Sequence, residues 1–576
     1  MAAAFGYAAA RYPMLPHAAR PGLAALLATL LACTSSYRRC QPGYEQVPGA
    51  SPLQCRLADA GAGDGDGGGD ADVPRRMCGA RVCDEPGDGI DTNGDMVDGE
   101  STDTVFVSET GSDTAVGTLP NQPVRSLPTA LERAREANRG TILIQAGSYD
   151  TTGLGTMETP RAVTISRTVR ILGRYSSGQW LRRNAMGAGG ETRIVVPIAG
   201  AIVLGARDVL LWGMTLEGRT AQRGASAYGL VAIDAPELVL REVALIAGGG
   251  ADGAVGRVGD PGADGLGGQS GASDGTGGRG GPGCAGIPNG GVGGSALNTS
   301  MMAMPATAGA GVDGRAGGTA GMAGTDMLTA SEGGSGVVGM AGLPGRVGGT
   351  GLWTRDGFAA ERGGTGETGG AGTGGGGGGA GFTAGMPSQP GGGGGGGGGG
   401  ACGGGGGEGG EGGGASIGAY LFGRTTVVRF ERCSIATGRG GNGAVGGVGG
   451  GGRVAGMPPQ GGAGGAGVPG ATPNTEGANG GRGGAGGIGG RGGPGLGGPS
   501  VGIARIGGAS SFPDLETQGA IRPGLPGMHA AGAEMEPPSL SLPEMSRAGD
   551  EVPDGGAAAD AAPDAPTDAA MDAAAD

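Results

Sequence analysis

The chain contains no lysine, so all 39 of its basic residues are arginine. Histidine is almost as scarce, with His17 and His529 the only two. These absences exclude most nucleophilic and general-base chemistry, because Ser-His-Asp and Cys-His arrangements need an imidazole within hydrogen-bond reach of the nucleophile. His529 lies in the run RPGLPGMHAAGA, which offers little to hold it rigidly. Zinc sites built on histidine fail for the same reason, and a phosphate-cradling G-x-x-x-x-G-K-[ST] loop requires the missing lysine. A formal net charge of −14 leaves no basic stripe to neutralise phosphates, which argues against nucleic acid as a partner.

What is present begins with an export signal. Residues 1–22 carry Arg11 and Arg20 but no acid, and residues 23–32, LAALLATLLA, form an apolar run too short to span a bilayer. The run ends directly before Cys33 and resembles a bacterial lipobox. That resemblance implies a signal peptide over 1–32, a lipid on Cys33, and attachment of the protein to a membrane through that lipid. Thr34 stands where the familiar inner-membrane retention signal has Asp, so the expected location is the outer membrane or cell surface. An exported compartment permits disulfides. Cys40 with Cys55 and Cys78 with Cys83 are the expected pairs, although spacing alone does not fix connectivity, and one odd thiol remains among Cys284, Cys402 and Cys433.

Residues 33–77 read as a Cys loop and an acidic, Gly-rich linker, and residues 78–103 as an acidic knot. In the knot Asp91, Asn93, Asp95, Asp98 and Glu100 crowd hard oxygen ligands of the kind calcium takes. The EF-hand pattern is not met, because Met96 and Thr102 stand where it needs Gly and Glu. The stretch GDGIDTNGDMVDGE also resembles an acidic, metal-binding repeat of bacterial exported proteins, with Met96 at the usual Gly. A solvated acidic turn is the competing reading.

Residues 104–247 carry the first material able to make a core. Val105 and Val107 alternate as a strand, Leu127, Leu131 and Ala134 recur at helical spacing within a helix over about 128–138, and Ile142 and Ile144 resume period two. With its G-S-D, G-T, Pro and A-G-x-Y elements, the stretch 104–150 resembles the module that opens many pectate-lyase-like β-helices. The implied fold is all-β, a right-handed parallel β-helix or solenoid, with a short capping helix over its open end.

An internal repeat supports that expectation. Sliding by 190 residues aligns Leu238-Val239-Leu240 with Val428-Arg429-Phe430, Val243 with Cys433, and Leu245 with Ile435. Copies of one rung must stack to bury their apolar faces, and Cys433, at the place of Val243, reads as a buried thiol. The alignment also locates the glycine. Of 148 glycines, most fall in two insertions, 248–415 and 438–499, which resemble PGRS-like tracts and leave consecutive rungs at one corner. The rung 416–437 separates them, 500–545 closes the body, and the Ala- and Asp-rich tail 546–576 reads as disordered. Inside the insertions glycine recurs every third residue over 250–271, 440–452 and 477–498. Collagen, packed polyproline II threads within one chain, and flexible low-complexity loops all fit a period of three, and the composition favours the loops.

Polysaccharide lyases and hydrolases share the β-helix, and Arg207, Asp208, Asp234, Glu237, Arg241 and Glu242 are the residues such an activity would draw on. They fall at turns and outward strand positions, where any solenoid carries charge. Fold does not imply function. The expected role is that of a lipid-anchored surface protein, structural, adhesive or contacting a surface glycan or another surface protein, with no catalytic residue assigned. A calcium-dependent polysaccharide lyase or hydrolase is the alternative.

Overall fold

Period-two runs of apolar and β-branched residues become strands here, and the strands assemble into three parallel sheets. The computed structural model describes residues 84–547 apart from 152–154, 157–158, 161–162, 183–189, 285–288, 297–304, 312–314, 326–327, 383–389, 453–460, 467–474 and 534–539, together with the short strands Tyr44–Gln46, Cys55–Leu57, Met77–Cys78 and Arg81–Val82. Contacts divide the chain into Met1–Arg75 and Arg76–Asp576. In the first unit Tyr44–Gln46 pairs antiparallel with Cys55–Leu57. The second unit holds the three sheets.

The chain visits the sheets in rotation. Val163–Ile165 lies in the first sheet, Val169–Tyr175 in the second and Thr192–Val196 in the third. Ala201–Leu204, Val209–Trp212 and Thr215–Gly218 repeat the order, as do Ala227–Ile233, Leu238–Arg241 and Ala244–Ala247. After the first insertion come Ser416–Phe422, Val427–Glu431 and Ser434–Thr437, and after the second Ser500–Ile506, Ser510–Pro513 and Ile521–Arg522. Register follows the sequence repeat, with Leu238 opposite Val428 and Leu245 opposite Ile435. In the first sheet, where Ala227 meets Ser416, the offset is one residue shorter, and the turn that follows absorbs the difference.

Like residues therefore stack in columns. Ile142, Ile171, Leu211, Leu240 and Phe430 pair in succession through the second sheet and are all buried. Ile194, Leu216, Leu245, Ile435 and Ile521 do the same in the third. Cys433 joins this core as a free, buried thiol. Helix Leu127–Glu136, with Ser126 capping the Thr129 amide and Pro128 in its first turn, buries Leu127, Ala130 and Ala134 against the first strands.

The glycine-rich insertions are neither loose loops nor a collagen triple helix. They run back and forth as extended threads that hydrogen-bond to one another. Gly253, Gly256, Gly259 and Gly262 donate in turn to the carbonyls of Asn442, Val445, Val448 and Gly451, which joins the first insertion to the second. The polyproline II screw has three residues per turn, so each position of a triplet points in one fixed direction. On an outer thread only that inward position is glycine: Gly256 lies against the Glu408 carbonyl while Val255 and Val258 face solvent. The 477–498 thread packs on two sides, with Gly486, Gly487, Gly489 and Gly490 buried and Ile488 and Arg491 exposed. Gly391–Gly400 is packed all round and every residue is buried. Its amides 392–399 each donate, in rotation, to three neighbouring threads. Glycine density thus records how many sides of a thread are covered, and without side chains the amides come close enough to find carbonyl partners.

Two devices tie down the array. Cys284 and Cys402 form a disulfide between threads. Hairpin Leu352–Thr354 and Gly357–Ala359 lies on the first sheet, where Phe358 N donates to Tyr228 Oη at 2.8 Å, the Tyr420 hydroxyl donates to the Thr354 carbonyl, and Trp353 stacks on Tyr420.

Candidate functional site

The acidic knot is shaped by short turns in which carboxylates accept backbone amides. Asp91 accepts from Gly94, Asp95 and Met96, Asp95 from Val97 and Ser101, and Glu100 from Asp84. Asn93 Oδ1 accepts from Asp95 N. The knot is seated on the second sheet by an apolar patch of Val97, Phe106, Leu143, Leu172, Tyr175 and Trp180. Asp98, fully buried, accepts from Gly87 N at 2.8 Å, Gly89 N at 3.0 Å and Arg182 N at 3.2 Å. Burial nonetheless pushes its carboxyl up to about 6, because desolvation outweighs the amides. Burial raises Asp84 as well.

Of the five residues singled out in the sequence, only Asp98 belongs to the group that converges. Oxygens of Asp84, Asp88 and Asp98 lie within 4.8 Å of one another, while Asp91, Asn93, Asp95 and Glu100 shape the turn around them. Asp84 and Asp88 escaped the motif because the chain at 84–89 folds back onto 98. The only signal was the DG-rich turn itself. The other sequence-derived sites, Cys33, Cys40 and Cys83, lie outside the described residues, as do the side chains of Cys55 and Cys78 and the tail beyond Arg547. Ser546 and Arg547 end the strand Ser541–Arg547, which joins the first sheet.

A second cluster sits at the turn between the second and third sheets. Arg174, Gly213, Glu242 and Arg432 follow one another there, each in the left-handed region with φ between 51° and 69° for the non-glycines. Glu242 meets Arg174 at 2.6 Å, Arg432 at 2.6 Å and Arg182 at 3.5 Å. Beside them opens a cleft of about 430 Å³ lined by Glu191, Met214, Val243 and Glu516 among others. Arg182 also lies 3.7 Å over the Trp212 ring, with Arg241 over the same ring at 5.0 Å. The remaining enzyme candidates scatter: Asp234 pairs with Arg355 at 2.9 Å and Arg241 with Glu431 at 2.7 Å, while Arg207, Asp208 and Glu237 are exposed. His529 is better held than its Pro- and Gly-rich surroundings suggested, because its Nδ1 accepts from Gly497 N at 2.9 Å at the edge of the array.

The array is the largest feature with no role inside the core. Its outer threads present Val255, Val258, Val337, Val338, Met340 and Leu343 to solvent, each at least half exposed. No helix among the described residues is long and apolar enough to cross a membrane. Set against protein-family models, curated proteins and solved structures, the chain matches none.

Proposed function

We propose that this is a lipid-anchored protein of the outer membrane or cell surface whose body is a right-handed parallel β-helix and whose glycine threads form a stiff display surface, with a structural, adhesive or glycan-contacting role. The β-helix reading rests on the rotation of the chain through three parallel sheets and on the stacked apolar columns. The observation that carries the functional reading is the array. Two insertions, separated in sequence by a rung, interlock through backbone hydrogen bonds into one layered surface whose outer threads turn side chains to solvent at two of every three positions. Such a surface loses little entropy when it binds, because its backbone is already ordered.

Catalysis is the weaker reading, despite the cleft. A lyase or hydrolase needs an acid or a guanidinium free to act on substrate, whereas the Glu242 carboxylate is spent on three arginines and Asp234 on Arg355. Palmitate labelling that disappears in Cys33→Ala tests the anchor. A glycan array probed with the whole chain tests the contact surface: binding weakened by Val337→Asp and Leu343→Asp supports the proposal. Cleavage of an anionic polysaccharide, abolished in Glu242→Gln, would replace it with the enzyme.

A further inference from the structure

The knot holds three carboxylates where two are almost out of reach of water. Asp84 is 2 % exposed and Asp98 0 %, and burying like charges together is costly unless something positive or hydrogen-bonding compensates. Three amides serve Asp98. Asp84 is served on one side only: its Oδ2 accepts from Gly99 N at 3.0 Å, while its buried Oδ1 has no hydrogen-bond partner. The Thr92 amide lies near that carboxyl but closes no hydrogen bond to Oδ1. The Arg182 guanidinium is directed to other groups: its Nη1 donates to the Gly87 carbonyl and its Nε to the Gly173 carbonyl, while its Nη2 lies 3.5 Å from Glu242.

We infer that Asp84, Asp88 and Asp98 bind one divalent, oxygen-seeking cation of the calcium class, which ties the knot to the body. The donors are all carboxylate oxygens, which a hard cation prefers to nitrogen or sulfur ligands. Oxygens within 4.8 Å of one another can share one ion, and calcium's flexible, irregular coordination tolerates three protein carboxylates completed by water better than the strict octahedron of magnesium. Exposed Asp88 gives the ion a route in and leaves room for water in the rest of its shell. The orphaned oxygen of Asp84 is what the ion would satisfy. In the neighbouring run Asp91, Asp95 and Glu100 spend their carboxylates on turn amides, and of that run only Asp98 reaches the cluster.

Terbium is the probe, because two tryptophans flank the cluster: the Trp180 carbonyl accepts from Asp98 N, and the Trp212 ring lies against Gly87. Titrating Tb³⁺ into the whole chain under tryptophan excitation should give sensitised emission that saturates at one equivalent and is competed away by Ca²⁺ more strongly than by Mg²⁺. Asp88→Asn should weaken binding at least tenfold, Asp84→Asn should abolish it, and Asp208→Asn, at an exposed carboxylate outside the knot, should leave it unchanged. Because Asp84→Asn could unfold the knot, Asp88→Asn decides, with circular dichroism confirming that it folds. Calcium should raise the Tm of the parent chain and not that of Asp88→Asn. Absent emission, emission of equal strength in Asp88→Asn, or loss of emission in Asp208→Asn overturns the site.

Discussion

Alanine placed at three consecutive positions of a central thread should do what alanine on an outer thread does at only one position in three. At Gly394, Gly395 and Gly396 a Cβ would collide with the carbonyls of Gly378, Gly462 and Arg279 respectively, far inside the roughly 3.5 Å that non-bonded carbon needs. The neighbouring thread must retreat by about 1 Å or more, which strains bonds such as Gly396 N to Gln269 O and Gly462 N to Gly396 O. Overpacking costs about 1–3 kcal/mol and a buried amide or carbonyl left without its partner a similar amount, so each of the three substitutions should cost about 3–5 kcal/mol. On the outer thread Gly256→Ala should cost as much, since its Cβ would meet the Glu408 carbonyl, whereas Val255→Ala and Val258→Ala, at solvent, should stay within about 0.5 kcal/mol. Scanning calorimetry with far-UV circular dichroism measures this. The four glycine variants should melt roughly 5–15 °C lower in the transition that carries the array. If alanine at 394, 395 and 396 is tolerated as well as at 255 and 258, the packed-thread account is wrong.

Other outcomes follow from the same contacts. Burial raises the Cys433 thiol to about 11, so between its unfolded value near 8.5 and 11 the unfolded chain releases a proton that the folded chain keeps. Stability should therefore fall as pH rises through that window, by roughly 2 kcal/mol, and Cys433→Val should remove that slope in urea titrations at pH 8 and pH 10.5. Native Cys433 should resist iodoacetamide at pH 8 and react once unfolded. Glu242→Gln leaves Arg174, Arg182 and Arg432 crowded without their acid and should lower stability by about 2–4 kcal/mol, an effect that Arg182→Leu in the same chain should partly reverse. Reducing the Cys284–Cys402 bridge should speed amide exchange in residues 277–283 and leave the three sheets unchanged.

The strands were legible because their signal is local and repeated: Leu238 and Val428 sit in the same phase of two similar runs, and the pairing of those runs follows from it. Cys433 was readable for the same reason, through its equivalence to Val243. The order of the threads was hidden. A G-x-x run on an outer thread has the composition of a linker, and Gly391–Gly400 looks like the most flexible tract in the chain, yet it is the most enclosed. Glycine there marks neighbours on every side, and neighbours are not visible in one segment's sequence. The knot was half legible. Its acids announced themselves, but the oxygen-rich run Asp91 to Glu100 turned out to fold the loop, and Asp84 and Asp88 joined Asp98 only through a return of the chain that no spacing rule encodes.

Residue-resolved amide hydrogen exchange across the two insertions tests the central claim most directly. The account predicts eight consecutive protected amides from Gly392 to Gly399, each with a partner on one of three threads. Between Gly253 and Gly262 it predicts protection at Gly253, Gly256, Gly259 and Gly262, with fast exchange at Val255, Arg257 and Val258. Uniformly fast exchange through both stretches would contradict it.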